Sequence, residues 1–283
     1  MKLPYALAKR FVAGEDLEQA VPKVADLNES GIKVTLDLLG ENVKDRKMAD
    51  ETLSHYIDLL NGIHEQDIQS SISIKLTMLG LDINRDYCRD NLFKLLDVAL
   101  NHDQFVRIDM EGSAYTQVTI NLFREAFAVY GKHVGIVIQA YLHRSKQDIK
   151  ELAEIGADVR LCKGAYGESE RVALQSMPAI REAYKEYAKI LLQKTVYPRM
   201  ATHDNELIEW IKAYTKEQQI GPSRFEFQML YGMRLETCKE LAAEGYNVRI
   251  YVPYGTMWLP YFTRRLKERK ENIWFVLSTM FKK

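Results

Sequence analysis

The chain has 283 residues, of which 47% are apolar and 28% charged, the make-up of an ordinary globular protein able to bury a sizeable core. Its 39 basic residues balance its 39 acidic ones, so no global field recruits nucleic acid or an acidic membrane. Three widely spaced cysteines (Cys88, Cys162, Cys238) and six histidines show no CxxC, HxH or HExxH spacing, which indicates neither a disulfide framework nor a metal site and fits a reducing, cytoplasmic compartment. The opening MKLPYALAKRF lacks the apolar centre of a signal peptide, and no stretch approaches the roughly 20 apolar residues that span a bilayer. The tail ENIWFVLSTMF is too short to span and reads as a packing element.

Short β-branched runs alternate with longer amphipathic segments along the whole chain. A strand at Lys33–Asp37 is followed by a helix at Lys44–Asn61, then strands at Ile72–Leu76 and Val106–Asp109 and a helix at Gln117–Tyr130. Strands at Gly135–Gln139 and Val159–Cys162 lead to a helix at Pro178–Gln193 and a strand at Arg199–Thr202. Asp204 is placed to cap a helix at Glu206–Lys216. A strand at Arg224–Gln228, a helix at Arg234–Ala243 closed by Gly245, and a strand at Val248–Tyr251 complete the series. Eight strand–helix units with no Pro-, Gly- or Ser-rich linker predict one (β/α)8 barrel domain over residues 1–283. The alternative is a doubly wound open sheet, against which no GxGxxG follows the first strand.

The strands carry a second pattern. Ile72, Ile74 and Leu76 alternate with Ser73, Lys75 and Thr77, and Val106, Ile108 and Met110 with Arg107, Asp109 and Glu111. Gln139 and Tyr141 oppose Ile136 and Ile138; Arg160 opposes Val159 and Leu161. Glu226/Gln228 and Arg249/Tyr251 repeat the scheme. With the apolar face turned to the helices, the polar set points into the barrel, and polar groups near the C-terminal strand ends read as a site. For Lys75 and Asp109 a second reading stands beside it, a buried ion pair bracing two strands.

Near the C-terminus, RIYVPYGTMWLPYFTRR joins a strand, a Pro/Gly turn and a helix opening toward two adjacent arginines. Arg264 and Arg265 suit a bidentate clamp on a carboxylate, with Tyr251 and Tyr261 walling an apolar ring. The plain alternative is a solvated basic helix face, since Lys267 and Arg269 follow.

These segments, in this order, resemble the proline dehydrogenase family. The resemblance runs from RFVAGEDLEQAV at Arg10 almost to the C-terminus and is carried by SIKLTMLGL, IDMEGS, VIQAYL, RLCKGAYGE, ATHD, FEFQMLYGMR and RIYVPYG…YFTRRLKER. It implies a distorted (β/α)8 barrel with the last helix over its mouth, FAD as cofactor and L-proline as substrate. The implied reaction yields 1-pyrroline-5-carboxylate and passes electrons to a quinone, with peripheral membrane association. Arg264 and Arg265 match the pair gripping the proline carboxylate; Leu230, Tyr251 and Tyr261 match the wall around its ring; Lys75 and Asp109 match a charged pair beneath it. Arg160 matches the arginine near the flavin N5 edge, Gln139 a partner of the pyrimidine edge, and Lys163, Gly164, Ala165 and Tyr166 the segment along the ring and ribityl chain. Thr202 and His203 match contacts toward the pyrophosphate and adenosine, with Gln228 and Glu268 as further carry-overs. No metal ligand is implied.

The sequence departs from the family pattern in a short N-terminus and in Gly167, where relatives often carry a larger side chain. The absence of a following aldehyde-dehydrogenase segment fits a monofunctional enzyme. A metal- or phosphate-dependent barrel lyase, with Asp109, Glu111 and His203 as ligands, and a catalytically silent barrel scaffold are the alternatives.

Overall fold

The computed structural model describes residues 8–268, with side chains through Thr263. The side chains of Arg264, Arg265 and Glu268, and the apolar tail, lie outside the described residues.

Eight parallel strands close into a barrel in chain order: β1 (Lys33–Leu38), β2 (Ser70–Ile74), β3 (Val106–Ile108), β4 (Val134–Gln139), β5 (Asp158–Cys162), β6 (Arg199–Ala201), β7 (Glu226–Leu230) and β8 (Asn247–Tyr254). Closure is made by β1 against β8, with Lys33 beside Arg249 and Leu38 beside Tyr254. The open-sheet alternative is thereby excluded. The helices are α1 (Leu17–Glu29), α2 (Arg46–Glu65), α3 (Arg85–Asn101), α4 (Thr116–Tyr130), α5 (Ser145–Glu154), α6 (Met177–Lys194), α7 (Asn205–Glu217), α8 (Leu235–Ala243) and α9 (Trp258–Glu268). Asp204 caps α7 as expected, its carboxylate accepting the Glu206 N–H at 3.2 Å.

Two boundaries move for local reasons. The predicted strand at Ile72–Leu76 ends at Ile74, because Leu76–Leu79 winds into a 3-10 turn that Gly80 closes at φ +95°. The one predicted from Arg224 begins at Glu226, after a 3-10 turn over Pro222–Arg224. Helix α1, which precedes the first strand, packs against both β1 and β8 and so covers the seam where the barrel closes. Helix α9 is thereby free to lie at the mouth, where Trp258, Tyr261 and Phe262 pack with Phe11, Leu39 and Met233.

Outward-facing Val34, Ile72, Val106, Ile136, Val159, Phe227 and Ile250 are fully or almost fully buried beneath the helices. Inside, the polar set separates into two layers. The lower one, toward the N-terminal strand ends, is an ionic floor. Arg199 binds Asp158 through Nη2 at 2.7 Å and Glu226 through Nη1 at 3.2 Å, and Arg249 Nε reaches Glu226 at 2.8 Å. Arg107 pairs with the Asp158 carboxylate and donates to the carbonyls of Ile136 at 2.8 Å and Asp158 at 2.7 Å. The Phe105 ring lies 4.7 Å from the Arg107 guanidinium carbon and 4.4 Å from that of Arg199. Gly135 makes this possible: a Cβ there would overlap the Arg107 guanidinium and stand 2.7 Å from Phe105 Cζ. Arg107, Glu226 and Arg249, read from sequence with the site, therefore belong to the scaffold beneath it.

Candidate active site

The upper layer sits where the strands end, and it opens into a cavity of about 1190 Å³ at the C-terminal face of the barrel. Of the residues singled out from sequence, Lys75, Asp109, Gln139, Arg160, Lys163, Gly164, Ala165, Tyr166, Thr202, His203, Gln228, Leu230, Tyr251 and Tyr261 all line it. Small-molecule sites commonly occupy about 300–1,000 Å³, so there is room for a dinucleotide and an amino acid together.

At the bottom of the cavity the charges pair differently from the sequence expectation. Lys75 does not pair with Asp109. Its Nζ binds Asp37 Oδ1 at 2.8 Å, because β1 and β2 set Asp37 beside Ser73, two residues before Lys75. Asp109 is held instead by Arg160 Nη1 at 2.7 Å through Oδ1 and by the Tyr251 hydroxyl at 2.8 Å through Oδ2. The Arg160 guanidinium carbon lies 5.4 Å from the Tyr251 ring centroid, and its Nη2 donates to Ser73 Oγ at 3.1 Å. Its Nε is buried without a protein partner, a donor left over for a ligand acceptor.

Burial alone would lower the Lys75 pKa; the carboxylates of Asp37 and Asp109 overcome it and hold the ammonium well above its usual range. Burial raises the Asp37 carboxyl, Lys75 opposes that shift and Asp109 adds to it. Burial likewise pushes the Tyr251 phenol up, so it remains a donor.

The walls are tied by loop-to-loop bonds. Gln139 Nε2 donates to the Glu111 carbonyl at 2.8 Å, while the Glu111 carboxylate takes the Thr77 hydroxyl at 2.6 Å and its N–H at 3.2 Å. The 163–166 segment is pinned to the end of β4: Tyr141 N–H donates to the Lys163 carbonyl at 2.9 Å. Gly164, at φ +120°, lies flat on the Tyr141 ring, where a Cβ would overlap it. Glu168 then grips Ser113 through its N–H and hydroxyl, both at 2.7 Å. Asp204 gathers Lys163 Nζ at 3.0 Å and Arg181 Nε at 2.8 Å, placing two cations on one wall. His203 Nε2 accepts the Leu230 N–H at 2.9 Å, which joins the ends of β6 and β7.

The ligand set of the lyase alternative is not assembled. Asp109, Glu111 and His203 each have the separate partners just described, and among the described residues no group of three or more His, Cys, Asp or Glu is placed to hold a metal. The side chains missed from sequence are Asp37, Arg181, Asp204 in its ionic role, and Glu168. Asp37 was legible in principle: in KVTLDL it follows Thr35 on the alternation that marks the other lumen residues.

The proline dehydrogenase family model matches residues 20–277, and proline dehydrogenase 2 of Bacillus subtilis is 41% identical over 276 residues, covering 98% of this chain and 91% of that protein. The chain belongs to the proline dehydrogenase family. Membership makes it an oxidoreductase of proline degradation, with proline as substrate. The proline dehydrogenase of Deinococcus radiodurans is 38% identical over 280 residues, covering 98% of this chain and 90% of that protein. The bifunctional protein PutA of Escherichia coli is 27% identical, and the match takes in 24% of its length. Among solved structures, proline utilization A of Bdellovibrio bacteriovorus inactivated by N-propargylglycine aligns with a TM-score of 0.87 at 27% identity, over 92% of this chain and 32% of that one. That barrel is the fold seen here.

Proposed function

We propose that the chain is an FAD-dependent L-proline dehydrogenase that forms 1-pyrroline-5-carboxylate and delivers electrons to a quinone. The carrying observation is that one cavity gathers Lys75, Asp109, Arg160 and Tyr251 at its floor with the 163–166 segment, Thr202 and His203 on its wall. The residues fit a flavin dinucleotide. Arg160 has a buried donor to spare, Gly164 leaves a flat backbone surface beside Tyr141, and Lys163 and Arg181 form a cationic wall suited to a diphosphate. Bound flavin supplies the hydride acceptor.

The protein's part is to bind, orient and exclude water. Arg160, Gln139, Gln228 and residues Lys163 to Tyr166 hold the flavin ring and ribityl chain; Thr202 and His203 reach toward the pyrophosphate and adenosine. Leu230, Tyr251 and Tyr261 pack the pyrrolidine ring, and Lys75 and Asp109 set the charge beneath it. Arg264 and Arg265, which follow Tyr261 in the YFTRR run, clamp the carboxylate. Glu268 is a further residue for the flavin. Fixing C5–H against the acceptor supplies much of the rate, since orientation replaces a bimolecular encounter. A quinone acceptor places this cytoplasmic protein in peripheral contact with a membrane. Among the described residues no helix is long and apolar enough to cross one.

The test is spectroscopic. Purified protein should be yellow, release FAD on denaturation, bleach anaerobically with L-proline and regain colour with a soluble quinone. Colourless protein that FAD does not reconstitute would overturn this reading in favour of a silent scaffold.

A further inference from the structure

Hydride can leave C5 only once the proline nitrogen carries a free lone pair, and in neutral water that nitrogen is an ammonium, so one proton must leave it before the iminium forms. The site must take up one proton. Most acceptors facing the cavity are engaged. Asp109 uses both oxygens on Arg160 and Tyr251, Glu168 uses both on Ser113, and Asp204 is held by Lys163 and Arg181. His203 Nε2 already accepts from Leu230, and Glu41, which has a partner of its own, is partly exposed to water.

Asp37 is different. It lines the cavity at 1% exposure; Oδ1 accepts from Lys75 at 2.8 Å, while Oδ2 is buried with no hydrogen-bond partner. The Tyr251 hydroxyl lies nearby, but its single proton goes to Asp109. A buried carboxylate with an unfilled oxygen is costly as an anion and gains by protonation.

We propose that Asp37 is the terminal proton acceptor of the reaction and receives the substrate's ammonium proton through Lys75. The inference rests on proline binding in this cavity as proposed above. In the step, Lys75 passes one proton to Asp37 across their hydrogen bond, and its freed lone pair takes the proton leaving the proline nitrogen. Lys75 ends as an ammonium and Asp37 as a neutral acid, while the nitrogen keeps the electron pair that becomes the C=N bond as the hydride departs from C5, giving the iminium, whose remaining N–H proton passes to water after product release. In this end state the Asp109 carboxylate still favours a charged Lys75, and the proton rests on Asp37, whose carboxyl burial raises. The charged and titratable groups facing Asp37 are Lys75 after β2, Asp109 after β3, Tyr251 and Tyr254 on β8 and, through Lys75, Tyr56 on α2. Asp37 acts through Lys75, so it is a proton store rather than a group touching substrate.

The experiment follows anaerobic single-turnover reduction by L-proline against pH in the FAD-loaded enzyme and in Asp37→Asn. It is paired with infrared difference spectra for a protonated carboxylic acid formed on reduction. The expected result is retained FAD, a reduction rate at neutral pH lowered about a hundredfold or more, a rate climbing about tenfold per pH unit, and loss of the acid band. A wild-type pH profile, or an acid band that persists in Asp37→Asn, overturns the proposal. If Asp37→Asn fails to fold or to hold FAD, Asp37→Glu carries the test: its inflection should move, and an inflection at the wild-type pH refutes the role. Lys75→Met separates the two levels. Slowed reduction there with normal Asp37→Asn removes only the acceptor role; unchanged reduction in both removes the placement of proline as well.

Discussion

Replacing Asp109 by Asn keeps the shape of the side chain and deletes its charge. Read from sequence, with Asp109 paired to Lys75, the change would strand a buried ammonium and cost several kcal/mol. The structure predicts less, because Lys75 keeps Asp37 at 2.8 Å. What changes is the 2.7 Å contact with Arg160, from a charge-assisted bond of about 1.5–3 kcal/mol to a neutral one of about 0.5–1.5. The Tyr251 hydroxyl can turn to accept from the new amide, so its 2.8 Å contact is remade rather than lost. The net cost is about 1–1.5 kcal/mol, a fall of roughly 2–3 °C in Tm for a chain of this length. The proposed catalytic role predicts more in the rate, since a preorganised charge removed from a closed site typically costs about 10²–10³. Stopped-flow reduction by L-proline, normalised to bound FAD, should therefore fall at least about a hundredfold while thermal denaturation shows only that modest drop. A reduction rate within about threefold of the parent, beside a Tm lowered by more than about 10 °C, would refute the reasoning and return Asp109 to a bracing role.

Other outcomes follow from the same geometry. Arg265→Met, removing one arm of the proposed carboxylate clamp, should lower kcat/KM about thirty- to a thousandfold with FAD retained; near-normal kinetics in this variant and in Arg264→Met would exclude the clamp. Gly135→Ala drives a methyl into the Arg107 guanidinium beside Phe105, which fixed bonds prevent from moving aside, and should cost about 3 kcal/mol in urea denaturation. Because that residue lies in the ionic floor, turnover per folded molecule should hardly change. At acid pH the floor governs stability. Burial alone would raise the carboxyls of Glu226 and Asp158, but Arg249 and Arg199 for the first, and Arg107 and Arg199 for the second, hold them below the usual range. Such depressed groups stabilise the fold above the unfolded carboxylate pKa of about 4, and that contribution drains as pH falls through the folded values, at up to about 1.4 kcal/mol per unit for each. Tm should decline below about pH 4, and Glu226→Gln should flatten the decline by about one proton's worth.

Local periodicity settles which residues face inward, and that much the amino-acid order alone determined. The alternation through SISIKLT, VRIDME, VRLC and FEFQ defines strands with one apolar face; eight such units imply a barrel, and polar residues at strand ends imply a site. Of the positions nominated in this way, Lys75, Asp109, Gln139, Tyr141, Arg160, Gln228 and Tyr251 line the cavity, while Arg107, Glu226 and Arg249 lie in the ionic floor beneath it. Partners are another matter, because they depend on how closure and stagger bring distant strands together. Asp37 meets Lys75 across 38 positions, and Arg160 meets Asp109 across 51, distances along the chain on which a period of two is silent. The division of the lumen into an ionic floor and a reactive layer is likewise tertiary: Arg107 and Asp109 follow the same alternation, yet one binds main-chain carbonyls below Gly135 and the other faces the cavity. So is the exchange by which α1 covers the β1–β8 seam and leaves α9 at the mouth, since sequence pattern records that a helix has an apolar face but not which surface will cover it.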